Sequence, residues 1–133
     1  MLDSSLVLNK EKRIFKSVMG TELDVTYRPY ILNILTAQYV DLQHTAVKKI
    51  TDYVKKNEEG KATIEDAEDF QKATKDFTDC GLKIILATLK ANKQEATEEW
   101  LQENISLDEF DTLVNYIIGT VQDPQEDTKK KKK

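Results

Sequence analysis

Chemistry near neutral pH starts from side chains that titrate or attack, and this sequence offers few of them. There is one histidine, His44, one cysteine, Cys80, and an acidic run, Glu65-Asp66-Glu68-Asp69. His44 has the only side chain whose ordinary pKa lies near neutrality. A catalytic triad needs a nucleophile and an orienting acid beside the imidazole, and a lone His without them defines no site. His44 therefore reads as a solvated helix residue. Cys80 falls on an apolar stripe, where a thiol packs as a small hydrophobe. With no second cysteine there is no internal disulfide, and no CxxC pair or His/Cys cluster exists for structural zinc. The acidic run resembles a metal site only in composition. Neighbouring carboxylates on an exposed helix diverge, no EF-hand loop with its central glycine is present, and acids in a first helical turn are already favoured by the helix dipole. The four glycines stand singly, which excludes a glycine-rich phosphate loop. The chain reads as a non-enzyme with no catalytic, cofactor-binding or metal-binding residues and no cofactor. Binding remains, and the partner-binding residues are not legible from the sequence.

The elements that would present a binding surface are clearer. Leu23, Val25 and Tyr27 alternate with Asp24 and Thr26, the period of a half-buried strand. Ile14 to Val18 supplies a partner strand, and Gly20 supplies the turn. A short helix from Lys10 to Met19, stopped by Gly20, is the rival reading. Pro29 suits the first turn of a helix, where its missing N–H breaks no bond. Ile31, Leu35, Tyr39, Leu42, Ala46, Ile50 and Tyr53 then recur at steps of three and four, which keeps one face on a core as far as Lys56. A polar stretch containing Gly60 follows. Thr63 with Asp66 resembles a capping box, so a second helix starts at Ile64 and runs to about Lys90. Its apolar face carries Ala67, Phe70, Ala73 or Thr74, Phe77, Cys80 and Ile84.

Two helices of about 28 residues, roughly 42 Å each, joined by a short connection form an antiparallel pair. Gly81 inside the second costs about 1 kcal/mol relative to Ala, so a close contact or a kink is expected there. Thr97 and Ser106 each open a short helix, at about 97–103 and 107–121, the second with the S-x-x-E box Ser106/Glu109. The expected fold class is mainly α (α+β): an N-terminal β-hairpin, a long antiparallel helix pair and two short C-terminal helices. Residues 1–122 form a single helical domain with its hairpin, and residues 123–133 a disordered lysine-rich tail. The aromatics Tyr30, Tyr39, Tyr53, Trp100, Phe110 and Tyr116 suffice for a core with a surplus for an interface.

The chain has 133 residues with 20 Lys+Arg against 24 Asp+Glu, and five of those cations are Lys129 to Lys133. Residues 1–128 thus carry 15 cations against 24 acids, a net of −9. Such a body repels phosphate backbones, and nucleic-acid binding is not expected. Apolar runs such as Ile84-Ile85-Leu86-Ala87 are far shorter than the roughly 20 residues of a membrane span. The N-terminus lacks the basic-then-apolar pattern of a signal peptide. No membrane association is expected, and the chain reads as soluble and cytoplasmic.

Three segments carry a family resemblance: GTELDVTYRPY at 20–30, TEEWLQENISLDEFDTLVNYIIG at 97–119 and TKKKKK at 128–133. Together with the order of elements, they resemble the small tail assembly chaperones of long-tailed (siphophage-type) bacteriophages. In that family some ribosomes slip near the end of the gene and make a longer fusion protein. Five consecutive lysine codons are A-rich and resemble a slippery site, although a plain basic tail accounts for the same residues. The resemblance implies a protein that binds the aggregation-prone tape-measure protein, keeps it soluble and, through the extended form, recruits tail-tube subunits. It implies action in the host cytoplasm, absence from the mature virion, and leaves self-association open. No residue-level motif transfers from so divergent a family. The alternative class is a non-enzymatic helical adaptor or structural component of a viral or bacterial complex.

Overall fold

In the computed structural model, which describes residues 12–119, Gly20 adopts φ +90° and turns the chain between two short strands. These are β1 (Ile14–Lys16) and β2 (Glu22–Asp24), paired antiparallel with Phe15 opposite Leu23. The hairpin reading holds and the rival helix does not form. The strands are shorter than the alternation suggested. Val18 lies in the turn and is 77% exposed, and Tyr27 lies beyond β2 and is also exposed, whereas Leu23 and Val25 are fully buried. Period-two patterning identifies the buried face but not where the ladder ends, because the hydrogen bonds stop once the turn and the following chain diverge.

The helices follow in the expected order: α1 (Leu32–Glu58), α2 (Ile64–Ala91), α3 (Glu98–Asn104) and α4 (Leu107–Ile118). The start of α1 differs from expectation. Pro29 lies ahead of the helix in a tighter turn, its carbonyl accepting from the Leu32 N–H at 3.0 Å, so the first α-helical residue comes three positions later. That offset puts Leu32 rather than Ile31 on the core, and Ile50 also lies at the edge of the buried stripe. At α2 the expected box is present in full: Thr63 Oγ1 accepts from the Asp66 N–H, and the Asp66 carboxylate accepts from the Thr63 N–H. Ser106 and Glu109 do the same at α4, and Thr97 caps α3. Helix α4 ends at Ile118 because Gly119 is left-handed, with φ +88°. The remainder of its expected span, residues 120–121, and the tail at 123–133 lie outside the described residues.

Helices α1 and α2 are antiparallel. Leu35 meets Cys80, Tyr39 meets Phe77 with ring centroids 4.5 Å apart, and Tyr53 stacks on Phe70 at 4.9 Å. Ion pairs Lys49–Asp69 and Lys56–Asp66 continue the same order toward the far end. The core gathers at the other end, where Ile84, Ile85, Leu89, Leu113, Val114 and Ile117 are fully buried beneath the hairpin residues Leu23 and Val25. Gly81 is where α4 crosses close to α2. A Cβ there would lie 3.0 Å from Phe110 Cε2 and 3.1 Å from Tyr39 Cε1, so the expected close contact is made with two rings.

Side chains tie the hairpin to the helices. Gln94 accepts from the Asp24 N–H and donates to the Glu22 carbonyl, both at 2.9 Å. Glu109 completes its own box and also accepts from the Val18 N–H at 2.7 Å. Arg13 donates to the Tyr116 carbonyl at 2.6 Å while lying 4.1 Å over the Tyr116 ring, and Arg28 donates to the Ile118 carbonyl at 3.0 Å. Two arginines from the hairpin region thus supply the positive charge that the C-terminal end of α4 lacks in its own last turn.

Candidate binding surfaces

The residues with chemical potential are dispersed. His44 is exposed on α1. Cys80 is buried between the long helices, its thiol donating to the Leu35 carbonyl at 3.5 Å, and burial pushes that thiol's pKa up against a smaller opposing pull from Lys83. The acidic run is used in structure: Asp66 caps α2 and holds Lys56, and Asp69 holds Lys49, while Glu65 and Glu68 face solvent. The Thr63 backbone N–H, with Lys56 beside it, holds the Asp66 carboxyl below the usual range. Burial, then the charges of Asp111 and Cys80, push the Tyr39 phenol up to about 12. These are the signatures of packing and capping. Among the described residues no three His, Cys, Asp or Glu side chains converge to hold a metal ion, and no helix is long and apolar enough to cross a membrane.

Among the described residues, large apolar side chains stay open at Tyr27, Tyr30, Ile31 and Ile34 around the start of α1 and on two further surfaces. The first runs along α1. Val40, Val47, Ile50 and Val54 are 37–58% exposed although large and aliphatic. Val40, Val47 and Val54 recur every seven residues, two helical turns, and so form a line beside the stripe that faces α2. The line covers about 21 Å of helix at 1.5 Å per residue. The steps of three and four mark the buried stripe, with Ile50 at its edge, and leave out Val40, Val47 and Val54. A scan at steps of seven would have shown them, but only the position of α2 reveals which of the two lines is covered.

The second surface is a cleft of about 780 Å³ between α2, α3 and the beginning of α4. Phe77, Leu82, Leu101 and Phe110 line it, and Leu107, 92% exposed, stands at its mouth. Leu107 follows the Ser106 cap, so its backbone is committed to the helix start while its side chain points away from the core. Asp79, Glu98, Asp108 and Asp111 complete the lining, and no lysine, arginine or histidine among the described residues does so. Phe77 and Phe110 come from helices about 30 positions apart, so only the packing of those helices brings them into one cleft.

Set against known proteins, the chain matches no family model, no curated protein and no solved structure.

Proposed function

We propose that the protein is a bacteriophage tail assembly chaperone that binds the tape-measure protein and keeps it soluble during assembly. The observation that carries the reading is the open apolar line Val40, Val47, Ile50 and Val54 on α1. A tape-measure protein is a long helical chain with apolar seams, and a heptad-spaced aliphatic line is the complement that such a seam packs against. The acidic body, net −9 over residues 1–128, keeps a covered complex dispersed by repulsion. In the same proposal the lysine codons 129–133 act as a slippery site, and the longer product recruits tail-tube subunits. The protein works in the host cytoplasm and leaves before the virion is complete.

Coexpression with a tape-measure fragment tests this. The fragment's soluble yield rises with the natural chain and falls back with Val47→Asp/Val54→Asp, which alters two exposed positions and leaves the core untouched. No rise, or an equal rise with the double variant, rejects the reading. Recovery of the chain in finished particles assigns it to the adaptor class. Synonymous recoding of the lysine run leaves the short protein identical and abolishes the longer product if the codons are slippery.

A further inference from the structure

The cleft between α2, α3 and α4 lies on a different face from the α1 line, and its chemistry is different. Phe77, Leu82, Leu101 and Phe110 make part of its lining apolar, beside polar residues such as Thr78 and Gln102, and it runs from Thr74 to Leu82 on α2, about 12 Å or two helical turns. A lining of this kind left uncovered is a place where an apolar side chain gains from burial, and the almost fully exposed Leu107 at the mouth gains with it. The charged residues of its lining have one sign. Asp79, Glu98, Asp108 and Asp111 contribute four carboxylates, and Lys75, outside the lining, pairs with Asp79 at 2.9 Å. Glu98, Asp108 and Asp111 form no ion pair among the described residues.

We infer that this cleft is a docking site for a short cationic amphipathic helix of a partner protein, two turns of which place apolar side chains between Phe77 and Phe110 while lysine or arginine side chains meet the carboxylates at the mouth. The charge selects the occupant. An acidic or neutral amphipathic helix fills the same lining but sets its flank against uncompensated negative charge, whereas a cationic one exchanges repulsion for attraction. An apolar helix face with charged flanks is the helix-in-groove mode, read as anchors at i, i+3, i+4 and i+7. The inference is independent of the chaperone reading, which rests on α1.

The test uses the full chain and two fluorescein-labelled synthetic peptides of the same leucine heptads, one with lysine on the polar positions and one with glutamate, followed by fluorescence anisotropy at low salt. The lysine peptide binds and the glutamate peptide does not. Glu98→Gln/Asp108→Asn/Asp111→Asn weakens binding about tenfold, as the loss of three partly exposed attractions implies. Glu58→Gln/Glu59→Gln/Glu68→Gln, which removes the same charge from exposed positions elsewhere on α1, its following turn and α2, changes it less than about twofold. Leu107→Ser weakens it several-fold. A readout needing no variant is the amide spectrum of the natural chain, in which the lysine peptide shifts Thr78, Leu107 and Phe110 and leaves Val47 and Val54 in place. Equal weakening by the two triple variants, equal binding of the two peptides, or shifts confined to α1 would each overturn the site. So would a self-associated chain that Leu107→Ser converts to monomer, since a second copy would then be the occupant. Loss of tape-measure rescue with Val47→Asp/Val54→Asp, alongside intact lysine-peptide binding, separates the two surfaces.

Discussion

The two ends of the long helix pair are built on different principles. At one end, the first turns of α1 and the last turns of α2 are enclosed by the hairpin, α3 and α4, and Leu32, Ile84, Ile85 and Leu89 are buried there, although Ile31 and Ile34 stay exposed. At the other, over roughly residues 43–76, α1 and α2 have only each other. Ala46 and Ala73 are the buried residues of that stretch, and the Tyr53–Phe70 stack and two ion pairs also join the helices there. Surface ion pairs contribute about 0–1 kcal/mol each, while a fully buried aliphatic side chain contributes about 1.5–3 kcal/mol. The enclosed end therefore holds the fold together, and the arm projects from it as a frame for the apolar line on α1. The apolar line on α1 lies mostly where the two long helices have only each other, whereas the cleft of Phe77 and Phe110 opens at the margin of the core itself.

The sharpest way to break this contrast is to cut into each end. Ile84→Ala, at a fully buried position of the enclosed end, is expected to lower unfolding free energy by about 2–5 kcal/mol in urea titration. A loss below about 1 kcal/mol would mean that the core lies elsewhere. Alkali is the next largest perturbation. The Tyr39 phenol, raised to about 12, favours the neutral form in the folded state. Its stabilising contribution is complete below the unfolded pKa near 10 and is lost above it, amounting to about 2 kcal/mol by pH 12. Tyr39→Phe should flatten the fall in stability between pH 10 and 12.

Gly81→Ala sharpens the account of how α4 closes the enclosed end. Helix propensity favours Ala by about 1 kcal/mol, but the new methyl meets the Phe110 and Tyr39 rings, and overpacking typically costs about 1–3 kcal/mol. Tyr39 is already held against Phe77, so net destabilisation of about 1 kcal/mol is expected, and stabilisation would show that the rings can yield. On the arm, Thr63→Ala removes one cap and should cost about 1 kcal/mol. Acid acts at the same place: the Asp66 carboxyl is depressed, so its contribution is present above the ordinary carboxylate pKa and disappears as pH falls through the lowered value. The protection of amides near Thr63, taken relative to their intrinsic exchange rates, should fall at low pH before that of amides near Ile84 does. The smallest effect is Val54→Ser, expected within about 0.5 kcal/mol because the side chain is half exposed. Its consequence should appear in client binding, and a large loss of stability would mean that the α1 line is part of the fold.

The local features were legible because their physics closes within a few residues. Thr63 with Asp66 and Ser106 with Glu109 satisfy helix N–H groups three positions away, so spacing alone marks both helix starts. Gly20 and Gly119 take left-handed conformations that glycine adopts without a Cβ clash, which marks a turn and a helix end. The same reasoning missed the start of α1, where a tighter turn at Pro29 has a signature close to that of a first helical turn. It also left the binding surfaces unresolved, since no rule of spacing says how much of a 27-residue helix its neighbours will cover.

Tertiary structure decided the rest. Arg13 and Arg28 meet the carbonyls of α4 across about 90 to 103 positions of sequence, and Gln94 completes hydrogen bonds for a strand 70 residues upstream. Such pairings exist only once the elements are placed, because each joins groups that the chain does not hold near one another. The same holds for α1, which carries two apolar lines that the sequence alone does not rank. The antiparallel return of α2 buries the one through Tyr39 and Ala46, whereas α4 starts over Gly81 and runs toward Arg28 ahead of α1, away from Val47 and Val54.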